Sequence, residues 1–188
     1  SGSLSGVDTK RFVENSNPFN KLLNSNLTIP NSFLRLLKEF SYGDLCLFGY
    51  IGRITIDKGI SELLEGFRMH CRSSTNSYLI LIGPIEDERY NYIKESNLFN
   101  IFHIDFNRNI ELFLPCFSCL VLPSYREGFG SVILEAASCS KPTIASEIPG
   151  PIDFISHNKN GILIRPRSSH SIKTSMDFIH DNPKKVIE

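Results

Sequence analysis

The sequence predicts an α/β protein built on a doubly wound, parallel, six-stranded sheet of Rossmann-like type. Three observations predict it. From about Leu45 onward, short apolar runs alternate with amphipathic segments. The runs are continuously apolar, which is how strands covered on both faces read. The connections are short, and strand–helix alternation of that kind gives parallel pairing through right-handed crossovers.

The strand candidates are residues 45–51, 78–82, 101–104, 119–122, 143–145 and 162–164. Between them, Ile60, Leu63, Leu64 and Phe67 fall at i, i+3, i+4 and i+7, the spacing of a helix with one buried stripe. Ile133, Ala136 and Ala137 repeat the start of that pattern, and the two alanines suit a helix lying close to the sheet. Further helices are expected near residues 87–96, 109–114, 152–156 and 169–181, with Asn182-Pro183 as the stop of the last. Residues 1–44 differ: rich in Asn and Ser, they carry one helical patch at 33–40 (Phe33, Leu36, Leu37, Phe40). They read as a lead-in segment packed beside the Rossmann-like domain of residues 45–188.

Composition narrows the function. The 188 residues suffice for one domain with a substantial core. Lys plus Arg balance Asp plus Glu at 20 each, so no broad electrostatic grip on nucleic acid is expected. An anionic ligand must then be held by a few placed groups. No apolar run reaches the roughly 18 residues that span a bilayer, and the opening Ser1-Gly2-Ser3 does not read as a signal peptide. The five cysteines (Cys46, Cys71, Cys116, Cys119, Cys139) read as reduced, buried thiols of a cytoplasmic protein. Cys116-Phe117-Ser118-Cys119 has redox spacing, but it runs into Leu120-Val121-Leu122 and so starts a strand instead of a helix. His70, His103, His157, His170 and His180 show no metal-ligand spacing.

Two loops carry the chemistry. The first follows the first strand, from Gly49 through Gly52, Arg53 and Lys58 to Gly59. Two cations between a strand end and a helix start suit a phosphate group; the plain alternative is a turn with two solvated charges. Neither a Walker A loop nor a dinucleotide fingerprint is present. The second loop follows the fourth strand, from Pro123 through Glu127, Gly128, Phe129, Gly130 and Ser131 to Glu135. If wholly helical, this stretch would set its two glutamates about 12 Å apart. The glycines instead favour a loop, with a helix starting near Ser131 and Glu135 one turn inside it. Carboxylates repel phosphate but accept hydrogen bonds from sugar hydroxyls, so cations and acids together suit a nucleotide sugar. Taken alone, Glu135 could equally be a surface helix residue. In a sheet of order 3-2-1-4-5-6 the first and fourth strands are neighbours, and ligands bind at their carboxyl ends where the winding reverses. Arg53, Lys58, Glu127 and Glu135 are therefore expected around one cleft.

At these residues the sequence resembles the retaining glycosyltransferases of family 4, whose GT-B fold sets two Rossmann-like domains face to face. The resemblance rests on Gly52-Arg53…Asp57-Lys58-Gly59, Leu79-Ile80-Leu81-Ile82-Gly83, and above all Val121 through Gly130 to Leu134-Glu135-Ala136 and Lys141-Pro142. Gly6-Val7-Asp8…Arg11-Phe12 resembles that family's entry into its C-terminal domain. The resemblance implies that Arg53 and Lys58 neutralise a donor diphosphate and, with Glu127 beside the transferred sugar, form the catalytic set. It implies that Glu135 holds the ribose and that amides from Gly128, Phe129, Gly130 and Ser131 contact sugar and phosphate. Gly52 would belong to the donor-binding set, and Gly83 with His103 and Ile104 would border the base. No metal or cofactor is implied, Glu86-Asp87-Glu88 reading as the charged first turn of a surface helix.

The implied function is transfer of a hexose-type sugar, from a nucleoside diphosphate sugar with UDP as the expected nucleotide, to a glycan or lipid-linked acceptor. Bacterial surface-polysaccharide assembly is the expected setting, in the cytoplasm or peripherally at the inner face of the membrane. An N-terminal acceptor domain is expected to be missing from these residues, leaving a fragment that binds nucleotide weakly and transfers sugar poorly or not at all. A noncatalytic sugar-nucleotide sensor or subunit would use the same cleft, and starch- or sucrose-type synthases share the chemistry. An NAD-dependent oxidoreductase shares the fold class but needs glycines and a ribose-binding acid that are absent here.

Overall fold

The computed structural model describes residues 7–95, 98 and 100–182. Gly6, Ser96 and Pro183, which figure in the sequence-based expectations, lie outside the described residues. The chain starts with two helices, α1 (Pro18–Leu23) and α2 (Asn31–Glu39). It then alternates: β1 (Cys46–Ile51), α3 (Ile60–His70), β2 (Ser77–Ile82), α4 (Tyr92–Glu95), β3 (Ile101–Ile104), α5 (Ile110–Phe113) and β4 (Cys119–Leu122). It continues through α6 (Ser131–Ser138), β5 (Thr143–Ser146), α7 (Pro151–Phe154) and β6 (Gly161–Ile164) to α8 (Ser169–Asp181). The six strands form one parallel sheet in the order β3-β2-β1-β4-β5-β6, as the apolar runs predict.

Period-two alternation within those runs feeds two cores. Cys46, Phe48, Tyr50, Leu79 and Leu81 point to one face, where Ile60, Leu63 and Phe67 of α3 meet Ile172, Met176 and Ile179 of α8. Leu47, Ile80 and Ile82 point to the other, where they meet Phe19 and Leu22 of α1, Phe33, Leu36 and Leu37 of α2, and Phe113 of α5. Burying one such side chain contributes about 1.5–3 kcal/mol. α6 serves both faces, with Ile133 in the first core and Ala136 in the second.

The structure departs from the expected helices in four places. α1 is an addition, although Asn17 and Pro18 signal its start: Pro18 sits in the first turn and the Asn17 side chain accepts from the Asn20 amide at 3.3 Å. α2 ends at Glu39, leaving Phe40 outside the stripe and 39% exposed. The span expected at 87–96 divides into a 3-10 turn, Glu88–Tyr90, and the short α4, with Asp87 capping the turn through the Arg89 amide. α7 stops at Phe154, short of Ser156. Among the described residues, no helix is long and apolar enough to cross a membrane.

Backbone contacts place the strand-end loops. Gly83 meets Gly52, and a Cβ on Gly83 would lie 2.0 Å from the Gly52 carbonyl oxygen, so only glycine lets the loops after β1 and β2 touch. Gly59, in the left-handed region at φ 69°, brings the start of α3 against Pro123, and a Cβ there would lie 2.2 Å from the Pro123 carbonyl oxygen. That oxygen is backbone and cannot swing aside. Gly59→Ala is expected to destabilise the protein by about 2–4 kcal/mol, through strain and clash together. An unchanged urea midpoint would contradict this packing.

At the opposite end of the sheet His70, wholly buried, ties α3 to α8 and β2. Its Nδ1 lies 2.6 Å from Asp177 Oδ1 and its Nε2 2.8 Å from Ser77 Oγ, with the His180 ring 5.6 Å away. Burial pushes its pKa below the usual histidine value, while Asp177 opposes that shift and His180 and Lys173 reinforce it. Because the unfolded chain takes up this proton more readily, stability is complete above about pH 6.5 and falls as pH drops toward the lower folded value. His70→Gln is expected to lower stability by about 1–3 kcal/mol at neutral pH. It should also flatten the loss of melting temperature between pH 7 and 5.5, which parallel thermal melts of both proteins would show.

Candidate functional site

The candidate site stands at the carboxyl ends of β1 and β4, where the winding of the sheet reverses. Tyr50, the fifth residue of β1, is wholly buried, and its hydroxyl donates to the Arg53 carbonyl at 2.6 Å, fixing how the chain leaves the strand. Burial raises the Tyr50 pKa, so the phenol keeps its proton and this bond. Thr55 Oγ1 then donates to Asp57 Oδ1 at 2.6 Å, which with Lys58 holds the Asp57 carboxyl below its ordinary range. A single 3-10 turn, Ile56–Lys58, delivers Lys58 just before Gly59 and α3.

The loop after β4 is stitched to this one. The Tyr125 amide donates to the Asp57 carbonyl at 2.8 Å. Lys58 Nζ donates to Glu127 Oε1 at 2.7 Å, and Ser124 Oγ donates to the same oxygen at 2.6 Å. Lys58 and Glu127 are only 16% and 12% exposed as side chains, so their attraction is screened far less than that of a surface pair. Tyr125 Oη donates to Glu62 Oε1 at 2.7 Å, and the Arg167 guanidinium lies 4.5 Å from the Tyr125 ring centre. Burial, then the bond to Glu62, push the Tyr125 hydroxyl up to about 12.

Lys58 and Glu127 thus meet across 69 residues of sequence, but the other expected residues have different neighbours. Arg53 extends to the loop after β2, where Nη1 pairs with Glu86 Oε2 at 2.9 Å, both side chains about half exposed. Glu86 is therefore a partner of the first loop and no part of a helix, since the next turn begins at Glu88. Glu135 stands one turn into α6, half-buried, and burial raises its pKa. Its charged neighbours are Arg11 and Glu111, with Arg11 Nη2 donating to Glu111 Oε2 at 2.7 Å and also to the Arg108 carbonyl. Glu135 thus feels the charges of the Arg11–Glu111 ion pair, while Lys58 pairs with Glu127.

The Gly128 carbonyl lies against Gly150 in the loop after β5. Phe129 projects outward, 54% exposed, with its ring 5.1 Å from Phe154. Gly130 directly precedes α6, whose first residue is Ser131. His103 Nε2 donates to the Gly83 carbonyl at 2.9 Å. His103 and Ile104 line an open groove of about 1250 Å³ along the β3 edge, with Asn31, Lys94, Asp105 and Phe106 among its walls. Arg53, Lys58, Glu127 and Glu135 do not line that groove.

Two serines went unmarked by the sequence. Ser124 is wholly buried against Glu127. Ser146, at the carboxyl end of β5 and one residue beyond the Leu122–Ala145 pairing, is also wholly buried, and its hydroxyl has no protein partner among the described residues. Position at or just past the carboxyl end of a parallel strand was the available signal for both. No three His, Cys, Asp or Glu residues cluster as metal ligands among the described residues. The cysteines are free; burial pushes the Cys116 thiol up to about 12, which makes it a poor nucleophile.

Comparison with known proteins agrees with this architecture. The family model described as "Glycosyl transferases group 1" matches residues 38–186. The capsular polysaccharide biosynthesis glycosyltransferase CapM of Staphylococcus aureus is 31% identical over 180 residues, covering 87% of this chain and 40% of that protein. The poly(ribitol-phosphate) alpha-N-acetylglucosaminyltransferase of Staphylococcus aureus (strain COL) is 30% identical over 137 residues, covering 71% of this chain and 27% of that protein. The chain therefore spans well under half the length of these relatives. Among solved structures, Anabaena Alr3699/HepE in complex with UDP and glucose superposes with a TM-score of 0.75 at 19% identity, over 96% of this chain and 47% of that one. The C-terminal domain of the group 1 family protein LpcC from Francisella tularensis superposes with a TM-score of 0.74 at 24% identity, over 96% of this chain and 92% of that domain. With cations and acids gathered at the mouth of a Rossmann-like sheet, and the model matching from just before β1 to beyond α8, this chain belongs to the glycosyl transferases group 1 family.

Proposed function

We propose that this chain is the donor-binding half of a retaining glycosyltransferase of family 4, moving a hexose-type sugar from a nucleoside diphosphate sugar to a glycan or lipid-linked acceptor. The observation that carries the reading is the Lys58–Glu127 pair, held between the loops after β1 and β4 where the winding of the sheet reverses. Three relatives support the setting and the nucleotide: CapM and the poly(ribitol-phosphate) enzyme by their names, and HepE by the UDP and glucose bound to it. Surface-polysaccharide assembly with a UDP-sugar is the corresponding proposal, in the cytoplasm or at the inner membrane face, with the acceptor held by an N-terminal domain.

An ammonium group has three N–H donors. Lys58 spends one on Glu127, which leaves two for a donor phosphate without breaking the pair. Arg53 supplies the second cation by exchanging Glu86 for phosphate oxygen, and the amides from Gly128 to Ser131 at the start of α6 add further donors. As the glycosidic bond to the diphosphate breaks, charge grows on the leaving oxygen, and fixed cations stabilise that charge without reorganising. Glu127 receives a hydroxyl of the transferred sugar, and Glu135 with Arg11 beside it receives the ribose. Configuration is retained by acceptor attack on the face the diphosphate leaves, with a diphosphate oxygen taking the acceptor proton. No metal or cofactor takes part in this scheme.

Calorimetric titration with UDP, GDP and ADP, and then with their sugars, tests the reading. UDP is expected to bind best, and Lys58→Met to weaken it at least about tenfold, or about 1.4 kcal/mol. Equal UDP binding by Lys58→Met would overturn the donor site. Glu86→Gln is expected to act in the opposite sense. It frees Arg53 from an exposed, solvent-screened pair, so UDP binding should tighten by a factor of about 2–5. Weaker UDP binding by Glu86→Gln would show that Arg53 needs this partner to hold its position.

A further inference from the structure

The carboxylate of Glu127 is held unevenly. Oε1 accepts from both Lys58 Nζ and Ser124 Oγ, whereas no hydrogen bond from the described residues reaches Oε2. Ser124 is wholly buried, directly follows Pro123 at the end of β4, and gives its hydroxyl to Glu127. The backbone around it is pinned on both sides, at Pro123 by Gly59 and at Tyr125 by the Asp57 carbonyl. A buried hydroxyl with a fixed Cα is a stiff donor, because χ1 alone sets the position of its oxygen. Lysine differs, its charge riding on a four-carbon stem that adapts to whatever anion arrives.

We propose that Ser124 is the positioning residue for Glu127, fixing Oε1 so that Oε2 is presented to a hydroxyl of the transferred sugar. The proposal rests on the donor-site reading above and adds a division of labour to it. Lys58 faces the diphosphate and tolerates movement, while Ser124 sets the direction of the acid that reads the sugar. The recognised chemistry is the hydroxylated ring alone, since Ser124 touches neither phosphate nor base in this arrangement. Losing the serine hydroxyl should therefore reduce the preference for nucleotide sugar over bare nucleotide and leave the nucleotide itself alone.

The test is a double-mutant cycle on this chain, read by calorimetry with UDP and with UDP-glucose. Ser124→Ala is expected to raise the Kd for UDP-glucose by about 5–10-fold and to change the Kd for UDP by less than twofold. In a Glu127→Ala background, adding Ser124→Ala should change neither value further, because the serine acts only through the acid. Equal weakening of both ligands would overturn the proposal, since it would mean that the loop had merely loosened. Additive effects in the double variant would overturn it as well, by giving Ser124 a role of its own. Failure of the unaltered chain to bind UDP would remove the donor-site reading beneath it, an outcome separate from the other two. Thermal melts of all variants keep a folding defect from passing for a binding one.

Discussion

The site depends on the contact between two loops that are distant in sequence and neighbours in space. Gly59 lets the start of α3 press on the Pro123 carbonyl, the Tyr125 amide reaches the Asp57 carbonyl, and Lys58 closes the contact by pairing with Glu127. Each link fixes a different degree of freedom: approach, register along the loop, and side-chain direction. The ionic link depends on the other two. A half-buried pair gains from attraction only if its geometry is settled beforehand, because ordering a free lysine costs about as much as a single hydrogen bond returns. The glycine and the backbone bond settle it.

Around that contact the charges form three separate units. Lys58 and Glu127 make one, Arg53 and Glu86 a second, Arg11 with Glu111 and Glu135 a third. Each of these three cations, Lys58, Arg53 and Arg11, has a carboxylate partner. Exposure grades the pairs. The exposed Arg53 pair can change partners at small cost, while the Lys58 pair is sheltered enough to persist.

The fold could be read because strands buried on both faces leave few polar positions. Their apolar runs therefore marked the six strands to within a residue or two, and the order across the sheet followed from connection length and handedness. Segments without such a constraint were harder to place. Phe40 fits a helical stripe by spacing, but its helix ends before it, and the acidic run at 86–88 resembles a helix start although Glu86 turns back to Arg53. In the site, Lys58 and Glu127 were legible because loops after the first and fourth strands must meet. Their contact through Ser124 was not, since a serine after a strand is common and only coordinates show which acid it serves. Nor could the Arg11 and Glu111 environment of Glu135 be seen, since Arg11 comes from a segment at least 100 residues away from both acids.

The way the second face of the sheet is covered has a consequence for where this unit can be divided. Phe12, Phe19, Leu22, Ile29, Phe33, Leu36 and Leu37, all ahead of β1, roof that face together with α5 and α6. A fragment begun at the first strand would keep every loop of the candidate site and yet uncover a broad oily surface on its back, inviting other chains to stick there. The stretch that reads as a lead-in is thus a wall of the building, to be inherited along with the loops of the candidate site whenever this unit is exchanged or transplanted.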